Sequence, residues 1–250
     1  YVDPYDGRSD IERGVLRAVG DPRERLAEDP LRILRIARFM AKLGFAPHAE
    51  LREAAAERAN WLLDIARQRW LQEMSKLVCG PFAPDALTFL LEIGALGIIL
   101  PELVELARFS ERAGGPWWDE TRARTRLVGD DKVLSWAALF ADAGRPWTAG
   151  GGEPFHNHAV MASVLFKGVE RRFHFDNATG AAVERVLADQ RRALAYRADW
   201  TDADVRRLVR DLGPQVDRVI ALGRALQTDA AADLDSLCSR IDALAQAGLL

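Results

Sequence analysis

The 250-residue sequence has few of the features that mark secreted, membrane or metal-binding proteins. Its two cysteines, Cys79 and Cys238, are far apart and lie in apolar stretches, which predicts buried free thiols in a reducing compartment and no disulfide. No apolar run approaches the ~18 residues of a membrane span, and the first residues do not resemble a signal peptide. These absences predict a cytoplasmic protein without a membrane partner.

Lysine is also scarce, since only four of the 34 basic residues are lysines and the rest are arginines. The formal net charge of -3 gives no general attraction to nucleic acids. It does not exclude such a partner, because local groups of basic residues decide phosphate contacts. A hydrophobic content of 49% and a charged content of 28% are typical of a globular protein with a large core.

One stretch, EDPLRILRIARFMAKLGF at residues 28–45, predicts a single helix with Pro30 in its first turn and Gly44 at its end. Polar residues recur at every third position, and each step turns about 60° around the helix axis, so they form one slanting stripe. The stripe consists of Asp29, Arg32, Arg35 and Arg38. The apolar remainder predicts a helix surrounded by other helices, through Leu31, Ile33, Leu34, Ile36, Phe39, Met40 and Leu43.

Three arginines in an apolar helix need partners, and one aspartate cannot balance them. The guanidinium fork matches phosphate oxygens, so the stripe predicts an anion site. A carboxylate at Asp29 beside the guanidinium of Arg32 would suit the exocyclic amino group and ring nitrogen of cytosine or adenine and reject uracil and guanine. The residues alone leave a second interpretation open, in which the arginines reach solvent or pair with acids on neighbouring helices.

This stretch resembles the EDxxR neck motif of class II tRNA nucleotidyltransferases and bacterial poly(A) polymerases. Segments on both sides are similar to the same family: Asp3–Asp10 to its DPfgG..DL pattern, Leu16–Pro22 to its lR.vGdP pattern, and the apolar segments of 69–77 and 86–103 to the helices after its neck. The resemblance covers about the first hundred residues. It implies that Asp29 and Arg32 read the incoming CTP or ATP, and that Arg35 and Arg38 help to hold the nucleotide.

The resemblance also implies a reaction that depends on Mg²⁺ held by a D-x-D pair on a strand after a Gly-Ser turn. This sequence has no Gly-Ser dipeptide, and its two D-x-D triplets begin at Asp202 and Asp233 in helical surroundings. We interpret them as acids at helix starts, where they complement the helix dipole. The sequence therefore predicts that the catalytic head and its metal ligands are missing, that no residue of this chain is catalytic, and that the chain alone is inactive.

The predicted fold is predominantly all-α, with at most a short strand remnant near the N-terminus. We expect four regions along the chain: the end of the nucleotidyltransferase head at 1–24, the neck and first body helices at 25–106, a degenerate helical region at 107–178, and a helical tail at 179–250. Gly80-Pro81, Pro84, Gly94 and Pro101 are expected to separate the body helices.

The degenerate region contains the segment 133–146, which resembles the ALLHDiGKp segment of metal-dependent HD phosphohydrolases. Ala141 stands where that pattern has histidine, Asp142 is retained, and no histidine occurs between residues 49 and 155. His156 and His158 follow, and one of them matches a later ligand position. A single aspartate with one or two histidines falls short of a hydrolytic metal centre, so we expect no metal here.

Basic residues outnumber acids between residues 165 and 197, which makes this the best local candidate for contacting an RNA backbone. The residues expected to do so are Arg171, Arg172, Arg185, Arg191 and Arg192. A solvated helix face explains the same charges equally well.

Three functions follow from these observations. The favoured one is the base-selecting and RNA-binding part of a template-independent RNA nucleotidyltransferase, with tRNA or other RNA 3′ ends and nucleoside triphosphates as partners. The second is an RNA-binding or partner-binding module without catalysis. The third, which the loss of histidine at Ala141 disfavours, is an HD-type phosphohydrolase.

Overall fold

The computed structural model describes residues 2–150, 155 and 157–250 of the chain. The first half contains the helices α1 Gly7–Arg13, α2 Pro22–Glu28, α3 Arg32–Leu43, α4 Ala49–Arg58, α5 Arg67–Val78, α6 Ala83–Glu92, α7 Ala95–Ile99 and α8 Pro101–Ala113. The second half contains α9 Trp117–Arg124, α10 Lys132–Phe140, α11 Arg145–Thr148, α12 His158–Phe173, α13 Asn177–Asp189, α14 Asp202–Leu212, α15 Val216–Leu226 and α16 Ala231–Gln246.

The described part of the chain also contains two short parallel strands, β1 Val15–Leu16 and β2 Ala46–Pro47, and four short 3-10 helices. The prediction of a predominantly all-α fold with a short strand near the N-terminus is therefore confirmed. The second strand was not predicted. This second strand follows Gly44, whose left-handed φ of 71° ends α3. The chain then continues as β2, parallel to β1. The pair fixes residues 15–19 beside α3.

The predicted helix over 28–45 is wrong at its start, because the chain forms two helices there. The first, α2, ends at Glu28, Asp29 is extended with φ -150° and ψ 98°, and Pro30-Leu31 makes a turn before α3 begins at Arg32. A proline has no N–H and its ring disfavours a helical residue before it, so the break falls at Asp29. Asp29 is therefore not on the helical stripe with the three arginines.

The prediction that other helices surround α3 holds for most of its apolar residues. Ile33, Leu34 and Ala37 have no exposed surface, and α5 and α6 cover this side of the helix. It is wrong for Phe39 and Leu43, which are 40% and 42% exposed. These two residues are one helical turn apart on α3, and Phe39 faces an open cavity.

Helices α3 and α5 lie side by side and run in the same direction. An ion pair joins Asp29 to Arg69 near their starts, and another joins Arg38 to Glu73 further along. Near their ends, a Cβ atom on Gly80 would come within 2.6 Å of the Ala41 carbonyl oxygen. Only glycine permits this approach, which holds the end of α5 against α3.

In the second half of the chain, an aromatic cluster links α10 to α12 and the segment after it. The ring of Trp136 makes edge contacts with Phe166, Phe173 and Phe175, at centroid distances between 5.2 and 6.2 Å. Such contacts add to the free energy gained by burying the rings. The buried apolar residues form one connected core that extends from Leu26 to Leu244.

Within the described residues, no helix combines the length and the hydropathy that a membrane crossing requires. Cys79 and Cys238 are free thiols, as predicted, but both are only half-buried. Burial raises the pKa of the Cys79 thiol.

Candidate functional site

An open cavity of about 470 Å³ lies between α3, the start of α4, α2 and the segment after β1. This volume is in the usual range of small-molecule sites. Four arginines and no acidic residue are in its wall, which consists of Leu16, Arg17, Ala18, Val19, Arg25, Leu26, Arg32, Arg35, Ile36, Phe39 and Leu51. The cavity therefore presents guanidinium groups beside apolar surface, which suits an anion that carries an apolar or aromatic part.

Two of these arginines share Glu28 at the end of α2. Nη1 of Arg25 donates to both carboxylate oxygens of Glu28, at 2.9 and 3.1 Å, while Nη2 of Arg32 lies 3.3 Å from Oε2. The Glu28 side chain is about half exposed. Ion pairs at such exposed positions are weak, so a more highly charged anion can displace this carboxylate.

Arg17 enters the cavity wall from the end of β1. Its Nε and Nη2 atoms donate to the two oxygens of Asp10, at 2.9 and 3.2 Å. These hydrogen bonds lower the pKa of Asp10. The bidentate contact fixes the plane of the Arg17 guanidinium group.

Arg35 and Arg38 both approach Glu73 of α5, which is 7% exposed. Nε of Arg38 lies 2.8 Å from Oε2 of Glu73, and Nε of Arg35 lies 3.6 Å from Oε1. Neither contact is a hydrogen bond, because Nε of Arg38 and Oε2 of Glu73 are poorly aligned and the Arg35 contact is too long. Arg35 and Arg38 thus approach an acid on a neighbouring helix, as the second interpretation of the sequence expected, and Arg38 lies outside the cavity wall.

Asp29 is held toward α5. Its Oδ1 atom accepts a hydrogen bond from the Leu31 N–H at 3.2 Å, and its Oδ2 atom accepts one from Nη2 of Arg69 at 3.1 Å. The Arg32 N–H donates to the Asp29 carbonyl oxygen at 3.0 Å, so the two residues are on one turn of the chain. Their side chains form no ion pair with each other, and Asp29 is not in the cavity wall.

Of the four residues predicted to bind nucleotide, the structure places Arg32 and Arg35 in the cavity and Asp29 and Arg38 beside α5. Sequence reasoning missed Arg17 and Arg25 as cavity residues. A signal for Arg17 was available, because it lies within the Leu16–Pro22 segment that the family pattern covers. Nothing in the pattern of α2 distinguishes Arg25 from a surface arginine.

The five arginines predicted to contact RNA fall into two groups. Three form intramolecular contacts: Arg172 with Glu102 at 2.9 Å, Arg192 with Asp211 at 2.9 Å, and Arg185 with the Asp211 carbonyl oxygen. Arg171 and Arg191 are exposed and have no acidic partner within the described part of the chain. Intramolecular contacts therefore engage three of the five arginines, a solvated face describes Arg171 and Arg191, and the RNA contact of this group stays a prediction.

Asp142, which the HD-like segment retains, is 1% exposed and lies between two arginines. Nη2 of Arg124 donates to its Oδ2 atom at 2.7 Å, and Nε of Arg145 donates to its Oδ1 atom at 2.6 Å. Burial alone raises the pKa of the carboxyl, but the two guanidinium groups outweigh this effect and hold the pKa below its usual value. Both carboxylate oxygens are thus used in ion pairs.

His158 is also buried, and Nδ1 lies 2.9 Å from the Phe155 carbonyl oxygen. Burial lowers the pKa of this imidazole, which favours its neutral form. His156 lies outside the described residues. Among the residues with described positions, no three His, Cys, Asp or Glu side chains form a group suited to a metal ion.

The two D-x-D triplets occupy helix starts, as predicted. Asp202 and Asp204 are in the first turn of α14, where Thr201 and Asp204 form a capping box, and Asp233 is in the first turn of α16. Asp202 pairs with Arg240 at 2.7 Å, and Asp235 pairs with Arg224 at 2.7 Å. The described residues therefore do not fit a Mg²⁺ centre.

Comparison with known proteins identifies relatives of part of the chain. Residues 44–106 match the family described as "Probable RNA and SrmB- binding site of polymerase A". The CCA-adding enzyme of Geobacillus thermodenitrificans (strain NG80-2) is 38% identical over 123 residues, which are 49% of this chain and 30% of that enzyme. The CC-adding tRNA nucleotidyltransferase of Shouchella clausii (strain KSM-K16) is 38% identical over 124 residues, 47% of this chain and 32% of that protein.

Solved structures extend the similarity to almost the whole chain. The Bacillus stearothermophilus CCA-adding enzyme in complex with CTP matches 97% of this chain and 54% of its own, with a TM-score of 0.61 and 26% identity. A tRNA nucleotidyltransferase complexed with a primer tRNA and an incoming ATP analog shares the fold, with a TM-score of 0.58 and 17% identity. The chain spans about half the length of the first of these structures and about a third of the curated relatives. These matches show that the chain is similar to CCA-adding enzymes and to the RNA-binding part of poly(A) polymerases, over only part of the length of the full relatives.

Proposed function

We propose that this chain supplies the base-selecting and RNA-binding part of a template-independent RNA nucleotidyltransferase, which adds CMP or AMP from CTP or ATP to tRNA or other RNA 3′ ends. The observation that carries the proposal is the cavity wall, with four arginines, no acidic residue and the exposed ring of Phe39. A nucleoside triphosphate combines an aromatic base with a polyanion, and it matches both parts of this wall.

The phosphate roles of Arg17 and Arg35 are supported by their positions in the cavity wall, whereas the roles proposed for Asp29, Arg32 and Arg38 rest on the family resemblance. Arg17 and Arg35 line the cavity and donate to phosphate oxygens, which carry no base identity. Arg32 donates to the ring nitrogen of cytosine or adenine, and Asp29, on the same turn, accepts from the exocyclic amino group. Arg38 contacts Glu73 outside the cavity wall, and we assign it to the phosphates from the resemblance alone.

In the proposed reaction, the RNA 3′ hydroxyl attacks the α-phosphate of the bound nucleotide, a new phosphodiester bond forms and pyrophosphate leaves. Because the described residues do not fit a Mg²⁺ centre, we assign to this chain only nucleotide positioning and base selection. We accordingly expect no nucleotide addition by this chain alone.

Binding of CTP and ATP, measured by calorimetry, tests the proposal. The wild-type chain should bind both, and Arg35→Ala should weaken both by roughly 10- to 100-fold, because one charged hydrogen-bonding group contributes roughly 1.5–3 kcal/mol. The matched control is Arg108→Ala, which removes an exposed, ion-paired arginine far from the cavity wall in sequence. Equal affinities for wild type and Arg35→Ala, or no binding by the wild type, would remove the support for a nucleotide site.

One observation favours the second candidate, an RNA-binding or partner-binding module that does not bind nucleotides. Each arginine of the cavity wall has an acidic neighbour: Asp10 for Arg17, Glu28 for Arg25 and Arg32, and Glu73 for Arg35. A pocket that has lost nucleotide binding would still contain these ion pairs between arginines and acidic residues of the chain. The same calorimetric titration separates the two candidates, since a retired pocket binds neither CTP nor ATP.

The phosphohydrolase candidate has no supporting geometry among the described residues. Asp142 directs both of its carboxylate oxygens to guanidinium groups. A metal ion at Asp142 would have to displace at least one of these two contacts.

A further inference from the structure

One face of α3 forms part of the cavity wall. The residues of α3 in that wall have the i, i+3, i+4, i+7 spacing of a single helix face. They are Arg32, Arg35, Ile36 and Phe39. Arg38 precedes Phe39 by one residue, which turns it about 100° around the helix axis, and it is outside the wall. The cavity face of α3 therefore begins with arginines and ends with an aromatic ring.

The ring of Phe39 is exposed at the end of this face. Its exposure is 40%, although most apolar residues of α3 are buried. Ligand sites combine apolar or aromatic walls with a few well-placed polar groups, and Phe39 beside Arg32 and Arg35 has this composition. The ring is thus an apolar surface that a ligand in the cavity can cover.

The guanidinium group of Arg38 covers one side of this ring. Its Cζ atom lies 4.3 Å from the ring centroid, well within the ~6 Å range of a cation–π contact. Nε of the same group lies 2.8 Å from Oε2 of Glu73, a residue that is 7% exposed. Arg38 therefore connects an exposed ring of α3 to a buried carboxylate of α5. This connection restricts the orientation of a ring that solvent alone would leave free to rotate.

A nucleobase fits such a ring. Bases stack on aromatic side chains with little regard to their identity, because every base has a π face. Arg32, which we propose reads the edge of the base, lies on the same helix face as Phe39. The two Cα atoms are about 10 Å apart along the helix axis, which two long side chains with a base between them can span. An edge contact selects the base, and a stacking contact adds affinity without selection.

We infer that the base of the bound nucleotide stacks on Phe39, and that Arg38 is a positioning residue that holds this ring. The inference deepens the proposed function, on which it rests. The resemblance assigns Arg38 to the phosphates. The contact with the ring gives Arg38 a second role, which acts through Phe39 and requires no phosphate on the ligand.

Binding of cytidine and of CTP to the full chain, measured by NMR titration, tests the stacking contact. Cytidine has the base and the ribose but no phosphate, so it reports on contacts with these two parts alone. Phe39→Ala should weaken both ligands by about tenfold, which is the usual effect of losing one base–aromatic stack. Phe39→Tyr keeps the aromatic ring and should keep the wild-type affinities.

The positioning role of Arg38 is tested in two backgrounds. In the wild-type background, Arg38→Ala should weaken cytidine by about threefold, the size of an exposed cation–π contact. In the Phe39→Ala background, the same replacement should leave the cytidine affinity unchanged, because the ring that Arg38 holds is gone. A general disturbance of α3, or of its contact with Glu73, would weaken cytidine in both backgrounds.

The chain offers a matched control in Arg58 and Trp61. Cζ of Arg58 lies 5.1 Å from the centroid of the Trp61 ring, Trp61 is 41% exposed, and Arg58 is paired with Glu57. Neither Arg58 nor Trp61 is in the cavity wall. Arg58→Ala and Trp61→Ala should therefore bind cytidine and CTP as the wild type does.

Unchanged cytidine affinity in Phe39→Ala, or a wild-type chain that binds CTP and not cytidine, would overturn the stacking contact. Unchanged cytidine affinity in Arg38→Ala, or an equal loss in both backgrounds, would overturn the positioning role. All of these outcomes occur in a chain whose wild type binds CTP, so they leave the proposed function standing. A wild-type chain that binds neither ligand refutes the proposed function and this inference together.

Discussion

Nε of Arg38 lies 2.8 Å from Oε2 of Glu73, and this contact joins α3 to α5 at a carboxylate that is almost fully buried. Arg35 approaches the other oxygen of the same carboxylate. One buried acid thus sets the direction of two arginines that the sequence assigned to a nucleotide. The arginines themselves remain partly exposed, with side-chain exposures of 43% for Arg35 and 23% for Arg38.

Replacement of Glu73 should therefore destabilise the fold. Glu73→Gln keeps the shape but removes the charge, and we expect the free energy of unfolding in urea to fall by about 1–3 kcal/mol. The control is Glu12→Gln, which breaks the exposed pair with Arg8 and should cost less than about 0.5 kcal/mol. Equal unfolding midpoints for Glu73→Gln and wild type would show that the contact with the two arginines contributes nothing.

Arg32 and Arg38 should differ in what they recognise. Arg32→Ala should lose discrimination between CTP and UTP at a cost of ~1–3 kcal/mol, because the ring nitrogen loses its donor. Arg38→Ala should weaken all four nucleoside triphosphates alike, since phosphates are common to all of them. Calorimetry with CTP, ATP, UTP and GTP measures both effects, and a base-dependent loss in Arg38→Ala would contradict its phosphate role.

Arg17 should contribute to nucleotide affinity although the sequence did not single it out. Arg17→Ala removes a guanidinium group from the cavity wall, and we expect about tenfold weaker binding of all four nucleotides. Asp10→Asn is the control, because it removes the acidic partner of Arg17 but keeps the arginine. Binding that falls equally in both variants would indicate that only the local structure of β1 matters.

The ion pairs of Asp142 should make stability depend on pH. The pKa of Asp142 in the folded chain is below its usual 3.8, so this carboxylate stabilises the fold above about pH 4 and the contribution is lost as the pH falls through the folded-state pKa. Asp142→Asn should therefore be less stable than wild type by about 3 kcal/mol at neutral pH, with a smaller difference in acid. Urea unfolding at pH 7 and at pH 3 measures this, and a pH-independent difference would contradict the charge-based account.

The sequence could predict the structural features that depend on residues close to each other in the chain. The end of α3 at Gly44 and the position of Asp202 at the start of α14 could be predicted, because short-range backbone geometry sets both. The break at Asp29 also has a local cause in Pro30, but the periodicity of the flanking residues obscured it. The apolar pattern of α3 correctly predicted that most of the helix is buried. It could not show which apolar side chains remain exposed to solvent, such as Phe39.

The partners of the arginines could not be predicted, because they come from other elements. Glu73 is 35 residues from Arg38, Arg69 is 40 residues from Asp29, and Arg124 reaches Asp142 from a different helix. One sequence shows that such charges exist and gives no indication of which pairs meet. The cavity wall also depends on contacts between distant parts of the sequence. Arg17 lies near Arg32 and Arg35 because β1 pairs with β2, which follows α3.

The central claim is that Asp29 and Arg32 select the base, and the most direct test is the ratio of CTP to UTP affinity in the wild-type chain and in Asp29→Ala. We expect the wild type to prefer CTP and Asp29→Ala to lose this preference, because no acceptor remains for the exocyclic amino group. Arg69→Ala, which removes the contact that holds the Asp29 carboxylate, should reduce the preference to a smaller extent. A wild-type chain that binds CTP and UTP equally, or an Asp29→Ala variant that keeps the full preference, would contradict the account.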